Sequence, residues 1–263
     1  MRKRSLRLVW RQMDVQIRIR TLNWYTLLLF ILQPAIFSAV GILLSRAAGN
    51  PVPNLVYTVI GGGIMGMWSG LVFTSTFDIT RDRRDGTLEL IVGSPTSLGM
   101  VEAIRTFTNV VAGLFSLSAA FLVAVLVFHY SLVGIDMVGA LVSLFLIMFA
   151  MWCIGVFLAN FIAWSRLTGA VADLLEIPVA VLCGFMYPVS VLPGWMQAIS
   201  AVIPIRWALQ ALDASLLGNS SPSLLLQNWT FAVLLSLLFW ALSRWLEGKV
   251  HDRIRITGEL NSI

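Results

Sequence analysis

The sequence predicts an all-α integral membrane protein with six transmembrane helices, and three observations carry that prediction. Of 263 residues, 58% are hydrophobic and only 12% charged, where ordinary soluble domains carry about 25% charged residues. Six apolar segments, 22–45, 55–77, 106–129, 137–163, 167–187 and 224–246, each reach the roughly 20 residues that a bilayer core requires. None alternates like a barrel strand, and in lipid a backbone that does not close its own hydrogen bonds leaves costly unpaired groups, so each is expected as a helix.

The N-terminal stretch MRKRSLRLVWRQMDVQIRIR is basic like a signal peptide. The apolar run behind it is too long for one and ends on no small-residue cleavage site, so the stretch is expected to be retained. Within 5–20, Leu6, Val9, Trp10, Met13 and Ile17 recur at helical spacing while Arg7, Arg11, Asp14 and Arg18 lie mostly off that stripe. This describes an amphipathic helix in the headgroup plane. A basic stop that only sets orientation is the alternative, since VQIRIR alternates like a strand.

In the first span, Gln33-Pro34 is expected mid-membrane, where proline frees a carbonyl and kinks a helix. In the second, Gly62, Gly66 and Gly70 form a small-xxx-small face for close helix approach. The run GMWSG (66–70) is not a nucleophile elbow, and no histidine stands near Ser69 in sequence.

An even number of spans places both termini and the 78–105 and 164–166 connections on one side. That side collects sixteen Lys and Arg, against Arg46 and Arg206 on the other. The asymmetry makes the termini, including the 247–263 tail, cytoplasmic. It also accounts for the formal charge of +5 and the pI near 9.8, so no nucleic-acid partner is expected. Cys153 and Cys183 both sit in apolar runs and offer neither a disulfide framework nor a thiolate site. His129 and His251 stand apart from other ligand side chains, and no metal site is expected. Ten Trp and fifteen Phe are mostly interfacial belt and lipid-facing residues.

Residues 188–222, on the outer side, are too apolar for a solvated loop. Pro188, Pro193, Pro204 and Pro222 break them into pieces, and Trp195, Met196, Ile199, Trp207, Leu209 and Leu212 supply apolar faces. Two short helices dipping back into the outer leaflet are expected, tolerated there only against protein or a cavity. An outer gate and an interfacial lid without gating role both fit.

The stretch DITRDRRDGTLELIVGSPTS (78–97) carries seven charges in its first twelve positions. At roughly 3 kcal/mol each at the bilayer centre, they force it into the cytoplasm. Gly86 breaks the chain, Thr87 to Val92 offer a short helix, and Gly93-Ser94-Pro95 close it, which predicts a rigid knob rather than a slack loop.

From Phe77 through DITRDRRDGTLELIVGSPTSLGMV, the chain resembles the cytoplasmic loop of ABC-2-type transporter permeases. There a charged turn, Gly-Thr-Leu-Glu, an apolar pair and Ser/Thr-Pro form the coupling helix between spans two and three. Gly184-Phe185-Met186-Tyr187-Pro188-Val189, with Leu192-Pro193, Trp195 and Ile203-Pro204, is similar to the family's outer segment after span five, and Gln33-Pro34 fits as well. The resemblance implies a membrane subunit that pairs with a second copy or close paralogue and with two cytoplasmic ABC ATPase subunits, exporting a substrate by alternating access. It implies that Asp82, Arg83, Arg84, Asp85, Gly86, Thr87, Leu88, Glu89 and Pro95 meet the ATPase. It makes Tyr187, Pro188, Leu192, Pro193 and Pro204 an outer gate, and offers Met65, Trp68, Phe73 and Phe185 as lining of a greasy path between spans two and five. ATP and Mg²⁺ are expected on the partner ATPase. This chain has no G-x-x-x-x-G-K-[ST], since Gly248-Lys249 is followed by Val and lacks the earlier glycine; no cofactor and no catalytic residue is expected in it.

Asp173 and Glu176 lie one turn apart in span five, about two and three turns from Arg166. Charged groups inside spans mark a polar cavity, a pair or a pathway. Two readings stand: a polar lining or ion-pair lock low in the path, and a water-filled cytoplasmic vestibule. Glu102 and Arg105, three apart, are expected to pair locally.

The expected function is export, across a bacterial plasma (inner) membrane, of a hydrophobic or amphipathic substrate: a drug, a lipid or a lipid-linked glycan. Polysaccharide or lipo-oligosaccharide export by the same fold is the alternative within transport. A membrane enzyme would need a clustered acid/base set where the sequence offers only Asp173 and Glu176, and a channel would need no ATPase.

Overall fold

The computed structural model describes residues 32–47, 51–84, 86, 98–126, 136–165, 170–218 and 221–257. Every regular element among them is helical. In order they are α1 (Gln33–Ala47), α2 (Pro51–Arg84), α3 (Leu98–Leu126), α4 (Met137–Ser165), α5 (Ala170–Cys183), a 3-10 turn (Val189–Val191), α6 (Gly194–Ser200), α7 (Pro204–Leu216) and α8 (Pro222–Thr257). Three stretches are long and apolar enough to cross a membrane: Gly99–Leu122, Met137–Ser165 and Pro222–Lys249. Val59–Ser75 in α2 and Leu174–Cys183 in α5 are shorter apolar helices. The chain is thus an all-helical, multi-pass membrane protein. The expected interfacial helix at 5–20 lies outside the described residues.

Two helices run past the ends that hydropathy drew. α2 continues from 77 through Arg84, and α8 from 246 through Thr257, so parts of the expected loop and tail are helical. Hydropathy marks where lipid ends, whereas a helix ends where a breaker stands, and the first Gly or Pro after Gly70 is Gly86. Arg carries good helix propensity, so the charges do not stop α2.

α2 is the hub: α1, α3, α4 and α5 all pack on it, and residues 61–72 are buried without interruption. A helix apolar all round belongs in such a place. Glycines let its neighbours close in. A Cβ at Gly62 would overlap Ser38 Oγ of α1, and one at Gly66 would come within 2.9 Å of Pro34 and 3.0 Å of Ser116 Cβ on α3. The small-residue face therefore accommodates α1 and α3 at once.

α4 is the second hub, packed on α2, α3, α7 and α8. Polar side chains pin it. Trp152 Nε1 donates to the Ala103 carbonyl of α3 at 2.8 Å, and Asn160 Nδ2 donates to Ser243 Oγ of α8 at 2.9 Å. Trp229 Nε1 of α8 donates to Ser143 Oγ at 2.9 Å. Between the hubs, Ile64, Met67 and Leu71 meet Ile147, Met151 and Ile154 in one core.

Candidate functional site

The outward faces of these helices are greasy, but three polar side chains from different helices meet inside. Ser69 Oγ of α2, in a residue with no exposed surface, donates to Glu176 Oε1 of α5 at 2.5 Å. Gln33 Nε2 of α1 donates to the same oxygen at 3.2 Å and lies 3.3 Å from Ser69 Oγ. A fourth bond fixes the backbone, because Trp68 Nε1 donates to the Glu176 carbonyl at 3.2 Å.

Local sequence places each member. Pro178 lies inside α5 two residues beyond Glu176. Its missing N–H deprives the Leu174 carbonyl of its usual partner and disturbs the helix there. Gln33 opens α1 and Pro34 follows it, packed against Gly66. Ser69 follows the buried Trp68 on α2, so one helix supplies both the hydroxyl and the indole that hold α5. Losing one partner of such a node leaves polar groups stranded. The node can therefore hold α1, α2 and α5 in one arrangement, or receive a positively charged group.

Among the described residues, Glu176 is held by neutral donors. Asp173 lies one turn earlier on α5; its side chain, and all of Arg166, are outside the described residues, as is any pairing between them. Met65, Trp68 and Phe185 are buried in the helix-packing core, and Phe73 packs partly buried against it. Glu102 and Arg105 form the local pair, with Arg105 Nη1 at 3.0 Å from Glu102 Oε1.

Residues 184–206 form a tied cap on α5. α5 ends on Gly184, whose φ of +68° suits glycine. Phe185 N donates to Ala180 O at 3.2 Å and Gly184 N to Val181 O at 3.1 Å. Tyr187 Oη also reaches Val181 O, at 2.8 Å, and Ser200 Oγ of α6 reaches Leu182 O at 2.5 Å. The last carbonyls of α5, orphaned in any helix, are thus satisfied by the outer segment itself. Pro188 precedes the 3-10 turn, Pro193 caps α6 and Pro204 opens α7. Gln197 Nε2 donates to Leu192 O at 2.7 Å, and Arg206 Nη1 to Gln197 O at 2.8 Å.

At the other pole, Asp82, Arg83 and Arg84 are the final residues of α2, and Gly86 follows, exposed, with a φ of +68°. Asp85, Thr87, Leu88, Glu89 and Pro95 lie outside the described residues. Among the described residues no His, Cys, Asp and Glu group could hold a metal ion.

Sequence reading named Gln33 for its place in a kink and in the family resemblance, and Ser69 only as a rejected nucleophile. Their joint role was signalled by chemistry rather than spacing: they are amide and hydroxyl groups inside apolar runs, where a polar side chain needs a partner. A second feature went unread. Thr106, Asn109 and Ser116 form a buried polar stripe along α3, legible in their helical spacing.

The structure is a multi-helix membrane bundle with a polar node between α1, α2 and α5 and a helix that extends beyond it. The chain matches the ABC-2 type transporter family over residues 3–217 and belongs to it. It is similar to the "Probable multidrug ABC transporter permease YbhS" of Escherichia coli strain K12 and to the protein of the same name in Escherichia coli O157:H7. Each is 23% identical over 207 residues, which cover 76% of this chain and 53% of the relative. The chain thus spans about half the length of these relatives.

Proposed function

We propose that the chain is the permease subunit of an ATP-driven ABC exporter with six spans and cytoplasmic termini, resident in a bacterial plasma membrane. It pairs with a second copy or a close paralogue and with two ABC ATPase subunits, which bind the ATP and Mg²⁺. Its cargo is hydrophobic or amphipathic, a drug, lipid or lipid-linked glycan drawn from the cytoplasm or inner leaflet and released outward by alternating access. Membership of the ABC-2 family across residues 3–217 is the observation that carries this reading, and the multidrug name of the relatives supports the cargo class.

The form of α2 supports the coupling role. At about 1.5 Å per residue, its 34 residues extend roughly 51 Å, against a hydrocarbon core of about 30 Å. The excess carries Asp82 to Arg84 out of the membrane on the same rod whose other part is the bundle's hub. A push on that end by the ATPase turns α2, and with it the node and the packed faces of α1, α3, α4 and α5.

The test is reconstitution with the ABC ATPase that co-purifies with this chain, comparing wild type with a variant carrying Asp85→Ala, Gly86→Ala and Glu89→Ala. ATP hydrolysis should persist while export of a fluorescent amphiphile drops at least tenfold. Unaltered export by the triple variant would remove the coupling role, and export without any ATPase would make the chain a channel.

A further inference from the structure

The node at Glu176 is saturated on one side only. Glu176 Oε1 accepts from both Ser69 and Gln33, while Oε2 takes neither bond. The other end of the Gln33 amide, Oε1, is buried and has no hydrogen-bond partner, although Nε2 serves two contacts. Gln33 Nε2 stands 3.2 Å from Glu176 Oε1, so the amide that bears the unpartnered oxygen is adjacent to the carboxyl group. A buried acceptor without a donor, as Gln33 Oε1 is, is costly, and Glu176 leaves its second oxygen available beside it.

The complement to this pair is defined by its chemistry. A neutral donor would satisfy the amide oxygen and leave the charge uncompensated, and a quaternary cation would compensate the charge and offer no N–H. A protonated amine does both. The flanks are apolar and open: along α1, Leu32 is 49% and Ile36 52% exposed, and along α5, Leu174 is 72% and Ile177 64% exposed. Both helices pack on α2 and hardly on each other. A tail can therefore lie along these faces while its head reaches the node.

We propose that Glu176, Gln33 and Ser69 receive the ammonium head of a cationic amphiphile. This rests on the transport reading above and narrows its cargo class to molecules with one protonated amine and a greasy body.

The experiment uses the full chain in nanodiscs of phosphatidylcholine and compares equilibrium binding of dodecylammonium with that of dodecanamide, which has the same chain length and no charge. Wild type should hold the ammonium at least tenfold tighter. Glu176→Gln should erase that preference and leave dodecanamide within twofold of wild type. No preference in wild type, a preference that survives Glu176→Gln, or equal loss of both ligands in a folded variant overturns the proposal. Glu176→Asp covers the case in which Glu176→Gln is not recovered folded. It should weaken the ammonium at least threefold with the amide unmoved, and equal loss of both again overturns the assignment. Binding needs no ATPase, so a failure here leaves the transport reading standing; that reading falls separately, if the reconstituted complex moves no amphiphile with ATP.

Discussion

Asp213, on α7 of the outer segment, shows how one side chain sets a pH response. It is 7% exposed, and its Oδ1 is buried without a hydrogen-bond partner. Burial pushes its carboxyl up to about 8. Burial is the cause of the shift; Arg206, two turns earlier on the same helix, donates Nη1 to Gln197 O at 2.8 Å. The folded chain keeps the Asp213 proton up to about pH 8, while the unfolded chain releases it near the ordinary value of 3.8. Across that window the unfolded state binds fewer protons, so stability falls as pH rises and levels off above about 8. The slope from this one group is at most about 1.4 kcal/mol per pH unit. Asp213→Asn should flatten it, read as the thermal midpoint in detergent across the window; a slope identical to wild type would show that Asp213 does not set it. Sequence reading passed over this residue because a lone acid outside the spans looks like a solvated one, whereas the prolines of 188–222 were legible as breakers from their residue type alone.

Among the elements, what could be read depended on whether the signal was apolar length or polar partnership. The run behind α4 was legible almost to the residue, expected at 137–163 and found at Met137–Ser165, because an uninterrupted apolar stretch has few alternatives in lipid. The partners of α4 were not legible, because nothing in sequence pairs position 160 with position 243. Asn160 and Ser243 are both buried, and they tie α4 to α8 by a side-chain bond of 2.9 Å. Lipid gives no hydrophobic drive for two apolar helices to associate, so such bonds and close packing hold them. A double-mutant cycle of Asn160→Ala and Ser243→Ala should therefore yield a coupling of about 0.6 kcal/mol, with an upper limit near 1.7, measured by reversible unfolding in mixed micelles. Strict additivity of the two substitutions would leave the α4–α8 contact to packing and to the Trp229–Ser143 bond. Thr106, Asn109 and Ser116 form a buried stripe that no such bond explains, since their side-chain polar atoms have no hydrogen-bond partner among the described residues.

At the scale of the whole molecule, the charged stretch after residue 77 was legible as too polar for lipid, but its continuity with the helix that forms the bundle's hub was not. Hydropathy cut the chain where lipid ends, yet the α2 backbone continues to Arg84 and turns only beyond it, at Gly86. If that rod transmits force, its stiffness between bundle and tip must matter more than the side chains along it. Ile79 lies past the expected end of the span and inside α2, which makes it a place to test stiffness alone. Proline there removes the bond to the Ser75 carbonyl and clashes with the preceding turn, at a local cost of about 3 kcal/mol. The packed core between residues 61 and 72 is not touched. Ile79→Pro should therefore insert and bind its ATPase normally, hydrolyse ATP, and lose at least tenfold in export rate, while Ile79→Ala, which keeps the helix, stays within twofold of wild type. Equal export by the two variants would mean that α2 does not act as a rod and that movement enters the bundle by another route, through α3 or through the second copy.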